Sequence, residues 1–127
     1  MRIERIRKND FIPGPIEKEI NRRKKEEFYE SFLHGDDLYL VASLGQKNTA
    51  GYDVYFENIR TTSHNEIEVQ MNKIEPEKGG VQSQVITTPF TVLKVLLKKD
   101  GKFPKRVIFK NNNGEVLKGI DIQKITK

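Results

Sequence analysis

Residues 44–56 read LGQKNTAGYDVYF, a short polar loop bounded by Gly45 and Gly51 and running straight into an alternating segment. The residues after the second glycine decide the fold. Tyr52, Val54 and Phe56 alternate with Asp53, Tyr55 and Glu57, the period of a strand with one buried and one wet face. A phosphate-cradling loop would need differently spaced glycines, a Lys-Ser/Thr pair and a helix behind it. None of these is present, so the loop reads as a turn into a sheet. Gly45 closes one strand and Gly51 opens the next, both where backbone conformations unfavourable to a Cβ are useful. The Thr49 hydroxyl can bond neighbouring backbone groups, and Tyr52 starts the inward-facing set.

The period of two extends outward from this loop. Upstream, LYLVASL (38–44) is a compact apolar run with the length of a central strand. Downstream, Ile67, Val69 and Met71 alternate with Glu68, Gln70 and Asn72, and VQSQVITT continues the pattern more weakly to Pro89. FTVLKVLL comes after a proline and is rich in β-branched residues, which favours strand over helix. RVIFK and EVLKGI flank NNNG, where Asn113-Gly114 suggests a type I′ hairpin, and IDIQKI supplies a last short strand. At the front, RIERIR reads as a short strand or extended arm. A helix is expected from Pro15 to a stop at Gly35, with Ile16, Ile20, Phe28 and Phe32 close to one face. The polar stretch NRRKKEE interrupts that face.

These elements make a mainly β fold: a single antiparallel sandwich or partly closed barrel of about seven strands with one N-terminal helix. At 127 residues there is room for one core. Residues 1–37 form an arm and helix that belong to the domain or dock on it, and 38–127 form the β domain.

With the loop, the residues IEVQMNKIEPEKGGVQSQVITTPFTVLKV complete a pattern similar to the C-terminal domain of PrcB, a family of bacterial protease-complex subunits. That pattern is a strand, a Gly-x-x-Pro-Thr-Gly-Gly-Tyr-like turn and an alternating strand. A valine-rich strand, a Pro-Gly turn and a strand near Pro-Phe/Tyr complete it. Gly45, Thr49, Gly51, Tyr52, Pro76, Gly79, Pro89 and Phe90 occupy matching positions, while Asn48 replaces the usual proline and Ala50 the usual glycine. The resemblance runs from Leu38 to Leu97. It implies a non-catalytic accessory subunit associated with the stability or assembly of a surface protease complex, in a family whose members are often exported.

The residues themselves agree with a non-enzymatic, protein-binding reading. There is no cysteine, which removes thiolate catalysis and disulfide frameworks. His34 and His64 lie in no nucleophile or zinc motif. His34, Asp36 and Asp37 fall where a helix is expected to end, and Glu75 and Glu77 flank a proline in a turn, so solvated caps and turns are their ordinary meaning. No cofactor is implied. The contact surfaces expected of a binding module are the loop at Gly45, Thr49, Gly51 and Tyr52, the outer face bearing Tyr55, and free strand edges. The expected partner is a protein, a protease or an envelope protein among the candidates, with the oligomeric state left open.

The net charge of +5 supports an alternative. Residues 98–110, KKDGKFPKRVIFK, hold six basic side chains (Lys98, Lys99, Lys102, Lys105, Arg106 and Lys110) and one acidic. Such a patch with Tyr55 or Phe103 nearby suits single-stranded nucleic acid, although lysines also guard sheet edges. The other basic run, Arg22 to Lys25, precedes glutamates that can pair with it along a helix. No apolar run is long enough to span a bilayer, and MRIERIRKNDF is not followed by the apolar core of a signal peptide. As written the chain is expected in the cytoplasm, or outside the cell if an export signal precedes it.

Overall fold

The computed structural model describes residues 2–6, 10–62, 65–80, 83–96 and 104–124. Strand β1 (Arg2–Ile6) precedes the helix α1 (Gly14–Arg23), and β2 (Glu27–His34) and β3 (Asp37–Leu44) come next. Then come β4 (Asp53–Thr61), β5 (Glu66–Ile74), β6 (Phe90–Leu96), β7 (Arg106–Lys110), β8 (Val116–Asp121) and the two-residue β9 (Gln123–Lys124).

The strands form two sheets, in the orders β1-β6-β3-β2-β9 and β4-β5-β7-β8, and neither closes into a barrel. The fold is sandwich-like, as the alternation predicts. Pairing is mostly antiparallel, but β5 runs parallel to β7 and β9 parallel to β2. One core lies between the sheets, where Leu38, Leu40, Phe56, Ile67, Val69, Val107 and Phe109 meet. The Phe109 ring sits 6.4 Å from Phe56 and 5.8 Å from Tyr29, both tilted, within the range in which aromatic pairs attract. A second core lies on the opposite face of the five-stranded sheet, where Ile16 and Ile20 of α1 cover Phe28, Phe32, Tyr39, Val41 and Val92. Every residue of β3 from Leu38 to Leu44 is buried, because helix and second sheet cover its two faces. That is why its sequence is a continuous apolar run and not an alternating one.

The helix is shorter than the sequence suggests. Pro13 accepts hydrogen bonds from the backbone N–H groups of Ile16 and Glu17 at 3.0 Å each, and a proline occupies the first turn. Arg22 and Arg23 in the last turn suit the negative end of the helix dipole. The helix stops there, and Phe28 and Phe32 lie on a strand. Positions four apart share a face in either conformation, so the aromatic spacing is ambiguous. The deciding side chain is Tyr29, buried on the other face against Phe109. HGDD is therefore no helix cap. It is a two-residue hairpin between paired His34 and Asp37, with Gly35 at φ 64 in its first central position.

Two further expectations change. Residues 83–86 form no strand, and the region is tied to its surroundings by an isolated bridge between Lys47 and Thr87 and by the Leu44 N–H, which donates to the Pro89 carbonyl at 3.0 Å. The NNNG turn is not type I′, because Asn113 does not take positive φ. The Gly114 N–H donates to the Asn111 carbonyl at 3.1 Å, and Gly114 alone is left-handed at φ 84, so the loop has three residues. The Asn111 carboxamide oxygen ties it down by accepting from the N–H groups of Asn113 (2.9 Å) and Glu115 (3.0 Å).

Candidate functional site

The loop after β3 carries the chain from one sheet to the other, and backbone contacts fix it at both ends. Gly45 has φ 80 and is pressed on the turn after α1, so that a Cβ would lie 2.9 Å from the Glu27 nitrogen. The adjoining Gln46 N–H donates to the Lys25 carbonyl at 3.1 Å. Ser43 Oγ donates to the Glu26 carbonyl at 3.1 Å, which holds the same turn from the other side. Further along, Lys47 and Thr87 exchange two backbone hydrogen bonds of 2.8 Å, and the Ala50 N–H donates to the Ser83 carbonyl at 3.0 Å. The loop thus lies alongside the segment before β6. Thr49 enters through its carbonyl, which accepts from the Thr87 hydroxyl at 3.4 Å. Gly51 takes φ 101, and Tyr52 is half-buried with Lys47 Nζ 5.0 Å from its ring centroid.

Tyr52 also borders a cleft of about 590 Å³. Asp53 and Val54 of β4 form one side, residues 87–92 form the other, and Ile6 and Ile12 close the end. The lining is mainly apolar. Phe90 in the lining is solvent-exposed, as are Val85 and Ile86 in the segment leading to it and Phe11, the residue before Ile12. Of the loop residues singled out in the sequence, Tyr52 alone lines this cleft. Gly45, Thr49 and Gly51 shape the loop that brings it there. Thr87, Thr88, Ile6 and Ile12 carry no motif. The one sequence signal for them is the break in alternation at Val85-Ile86, two consecutive apolar residues that no strand can bury on one face.

The outer face of the four-stranded sheet is polar and internally matched. Glu68 accepts from Arg60 Nε at 2.7 Å and from Lys110 Nζ at 2.9 Å, and Lys110 and Arg60 together hold its carboxyl below the ordinary glutamate range. Arg106 lies 3.6 Å from Glu66 and 3.4 Å from Asp121. Asn72 Nδ2 donates to the Tyr55 hydroxyl at 3.0 Å and to Glu57 at 2.6 Å. The described part of the basic segment is therefore divided. Arg106 and Lys110 face carboxylates, whereas Lys105 is exposed beside its backbone bond to Asn65 at 3.0 Å. Lys98, Lys99, Lys102 and Phe103 lie outside the described residues, as does His64.

The remaining candidates are scattered. Asp37 faces Lys94 at 3.7 Å, His34 is half-buried at the end of β2, and Glu75 and Glu77 lie in the turn before Gly79. Among the described residues, no three His, Asp or Glu side chains group as metal ligands would, and no helix is long and apolar enough to cross a membrane.

Comparison with curated proteins and with solved structures gives no significant match. Comparison with family models gives one that runs from the start of the buried β3 run, through the Gly45–Tyr52 loop, to β6, and so contains two sides of the cleft. Residues 38–95 of the chain match the PrcB C-terminal family model.

Proposed function

We propose that this chain is a non-enzymatic accessory module that binds a protein partner, a protease complex being the setting that the family match suggests. The observation that carries this reading is the apolar cleft at the junction of the loop and residues 87–92, with large apolar side chains exposed beside it. Exposed apolar surface of this kind marks contact sites for other macromolecules. Two of its sides, Tyr52 to Val54 and residues 87–92, lie within the matched segment, while Ile6 and Ile12 lie before it. The reading as a non-enzyme draws on the scatter of the titratable groups, among which no three His, Asp or Glu side chains of the described residues group as metal ligands would. Nucleic-acid binding is the competing reading, and the engagement of Arg106 and Lys110 with carboxylates argues against it.

The test is affinity capture with the purified chain from lysate and culture medium of its source cell, with and without nuclease, and identification of the retained proteins. A protease or envelope protein retained after nuclease and co-eluting with the chain in gel filtration is the expected result. Capture that vanishes with nuclease would overturn the proposal in favour of the basic segment.

A further inference from the structure

We infer that the cleft beside Tyr52 receives an extended segment of a partner protein, one that presents an apolar or aromatic side chain next to acidic residues. This rests on the protein-binding reading above and gives that partner a chemistry.

Three observations at the cleft specify it. The walls from Ile6, Ile12, Val54, Pro89, Phe90 and Val92 offer an apolar anchor site, and Phe90 remains 40% exposed although it begins a strand. Anchors of this sort dominate the energetics of peptide recognition.

The second is the edge of β4. In an antiparallel pair, alternate residues turn their N–H and C=O groups away from the partner strand. Val54 and Phe56 are such residues, because the Val54 N–H donates to Asp53 Oδ1 at 2.8 Å and the Phe56 carbonyl accepts from the Arg5 guanidinium. The Val54 carbonyl and the Phe56 N–H face the same edge, and neither has a hydrogen-bond partner among the described residues. An extended chain offers one donor and one acceptor at this spacing. The bulge at Glu57 shifts the register before pairing resumes at Asn58, which breaks the regular edge and limits the contact to a short segment.

The third is charge. Arg5, beside Ile6, and Lys47, over Tyr52, flank the cleft, and neither has a carboxylate within ion-pair reach among the described residues. Arg60, Arg106 and Lys110 on the outer face all have one. Asp53 is the acidic group in the lining, and it is occupied with the Val54 N–H. These two cations, which have no acidic partner among the described residues, favour acidic residues on either side of the anchor.

The probe is a library of random twelve-residue peptides displayed on phage and selected against the full chain. Selected peptides are then synthesised and their affinities measured for the native chain, for Phe90→Ser, and for the double reversal of Arg5→Glu with Lys47→Glu. Enriched peptides should carry an aromatic or large aliphatic residue adjacent to Asp or Glu. Affinity should fall about tenfold in each variant, with amide shifts on binding centred on residues 52–56 and 87–90. Phe90 and Arg5 are exposed and Lys47 is half-exposed, and an unchanged melting temperature certifies the fold. Enrichment of basic or uncharged peptides, no enrichment, or undiminished binding by Phe90→Ser would each overturn the inference. A captured partner that binds both variants as well as the native chain would leave the accessory-module reading standing and remove this cleft from it. Peptide binding at the cleft with capture that depends on nucleic acid would do the reverse.

Discussion

Gly45 concentrates more constraint than any other residue of the loop. Its φ of 80 is unfavourable to side chains, and the neighbouring backbone of Glu26 and Glu27 leaves no room for one. Gly45→Ala is expected to cost roughly 2–4 kcal/mol, from left-handed strain and overpacking together. Gly51→Ala, with strain at φ 101, should cost about 1 kcal/mol, and Ala50→Gly less. Chemical denaturation of the three variants checks the order, and equal small losses would remove the special-backbone argument. The sequence identifies both glycines as turn residues but not their ranking, because the close approach of residues 25–27 comes from a distant part of the chain. Tyr29 presents a different residue-scale effect. Burial, and then its 2.7 Å hydrogen bond to Glu27, raise the phenol pKa well above its ordinary value. A raised pKa means the folded state holds the proton more tightly. The associated stability is complete below the unfolded phenol value of about 10 and is lost as pH rises beyond it. Tyr29→Phe should therefore flatten the alkaline loss of stability above about pH 10, while costing about 1 kcal/mol near neutrality through the lost hydrogen bond. Denaturant titrations across that range, native against variant, measure both.

Among the elements, β8 is an edge strand, and it carries one inward charge of the kind that guards an edge against pairing with another molecule. Lys118 shares the face of core-packing Ile120, yet its ammonium reaches the Tyr29 carbonyl at 3.3 Å and lies 3.9 Å from Glu30 Oε1. It thereby serves β2 as well, whose described pairing with β9 involves only Phe32 and Leu33. Lys118→Ile would leave β8 apolar from Val116 to Ile120 and strip Glu30 of one of its two cations. Concentration-dependent self-association, read by light scattering, is the expected result. A variant that stays monomeric at high concentration would show that β8 needs no such guard. Legibility in the sequence obeys the same logic of faces. β4 and β5 are plain in sequence because one face is wet, with Val54 and Phe56 or Ile67, Val69 and Met71 on the other. β2 is hidden because Phe28, Tyr29, Glu30, Ser31 and Phe32 are all buried, so its sequence has no polar face to set the period. Glu30 and Ser31 look like surface residues and are not; Arg23 at 3.4 Å and Lys118 make the buried glutamate tolerable. The cleft is hidden for another reason. Its walls come from β1, the approach to α1, β4 and residues 87–92, and only the fold brings them together.

At the scale of the molecule, the matched segment 38–95 contains β3 to most of β6, strands of both sheets, but not α1 and β1, which complete the five-stranded one. α1 covers the outer face of that sheet, its Ile16 and Ile20 buried on Phe28, Phe32, Tyr39, Val41 and Val92, and β1 extends the sheet, pairing with β6 along all five of its residues. Burying two isoleucines fully is worth about 3–6 kcal/mol, a large share of the roughly 5–15 kcal/mol by which a domain of this size is stable. The N-terminal segment thus supplies an edge strand of the sheet and the cover of its second core. Ile20→Ala should cost roughly 2–4 kcal/mol and lower the melting temperature by several degrees while keeping one cooperative transition. Deleting residues 1–24 goes further. It exposes the second core to water and leaves β6 as an open edge beside β3, so the remainder should lose its cooperative melt and associate in gel filtration. A monomeric remainder melting within a few degrees of the full chain would make the β domain autonomous. It would also relieve the cleft of two of its lining residues, Ile6 and Ile12, without unfolding the rest. Peptide affinity measured on that remainder would then separate the contribution of the N-terminal wall from that of β4 and residues 87–92.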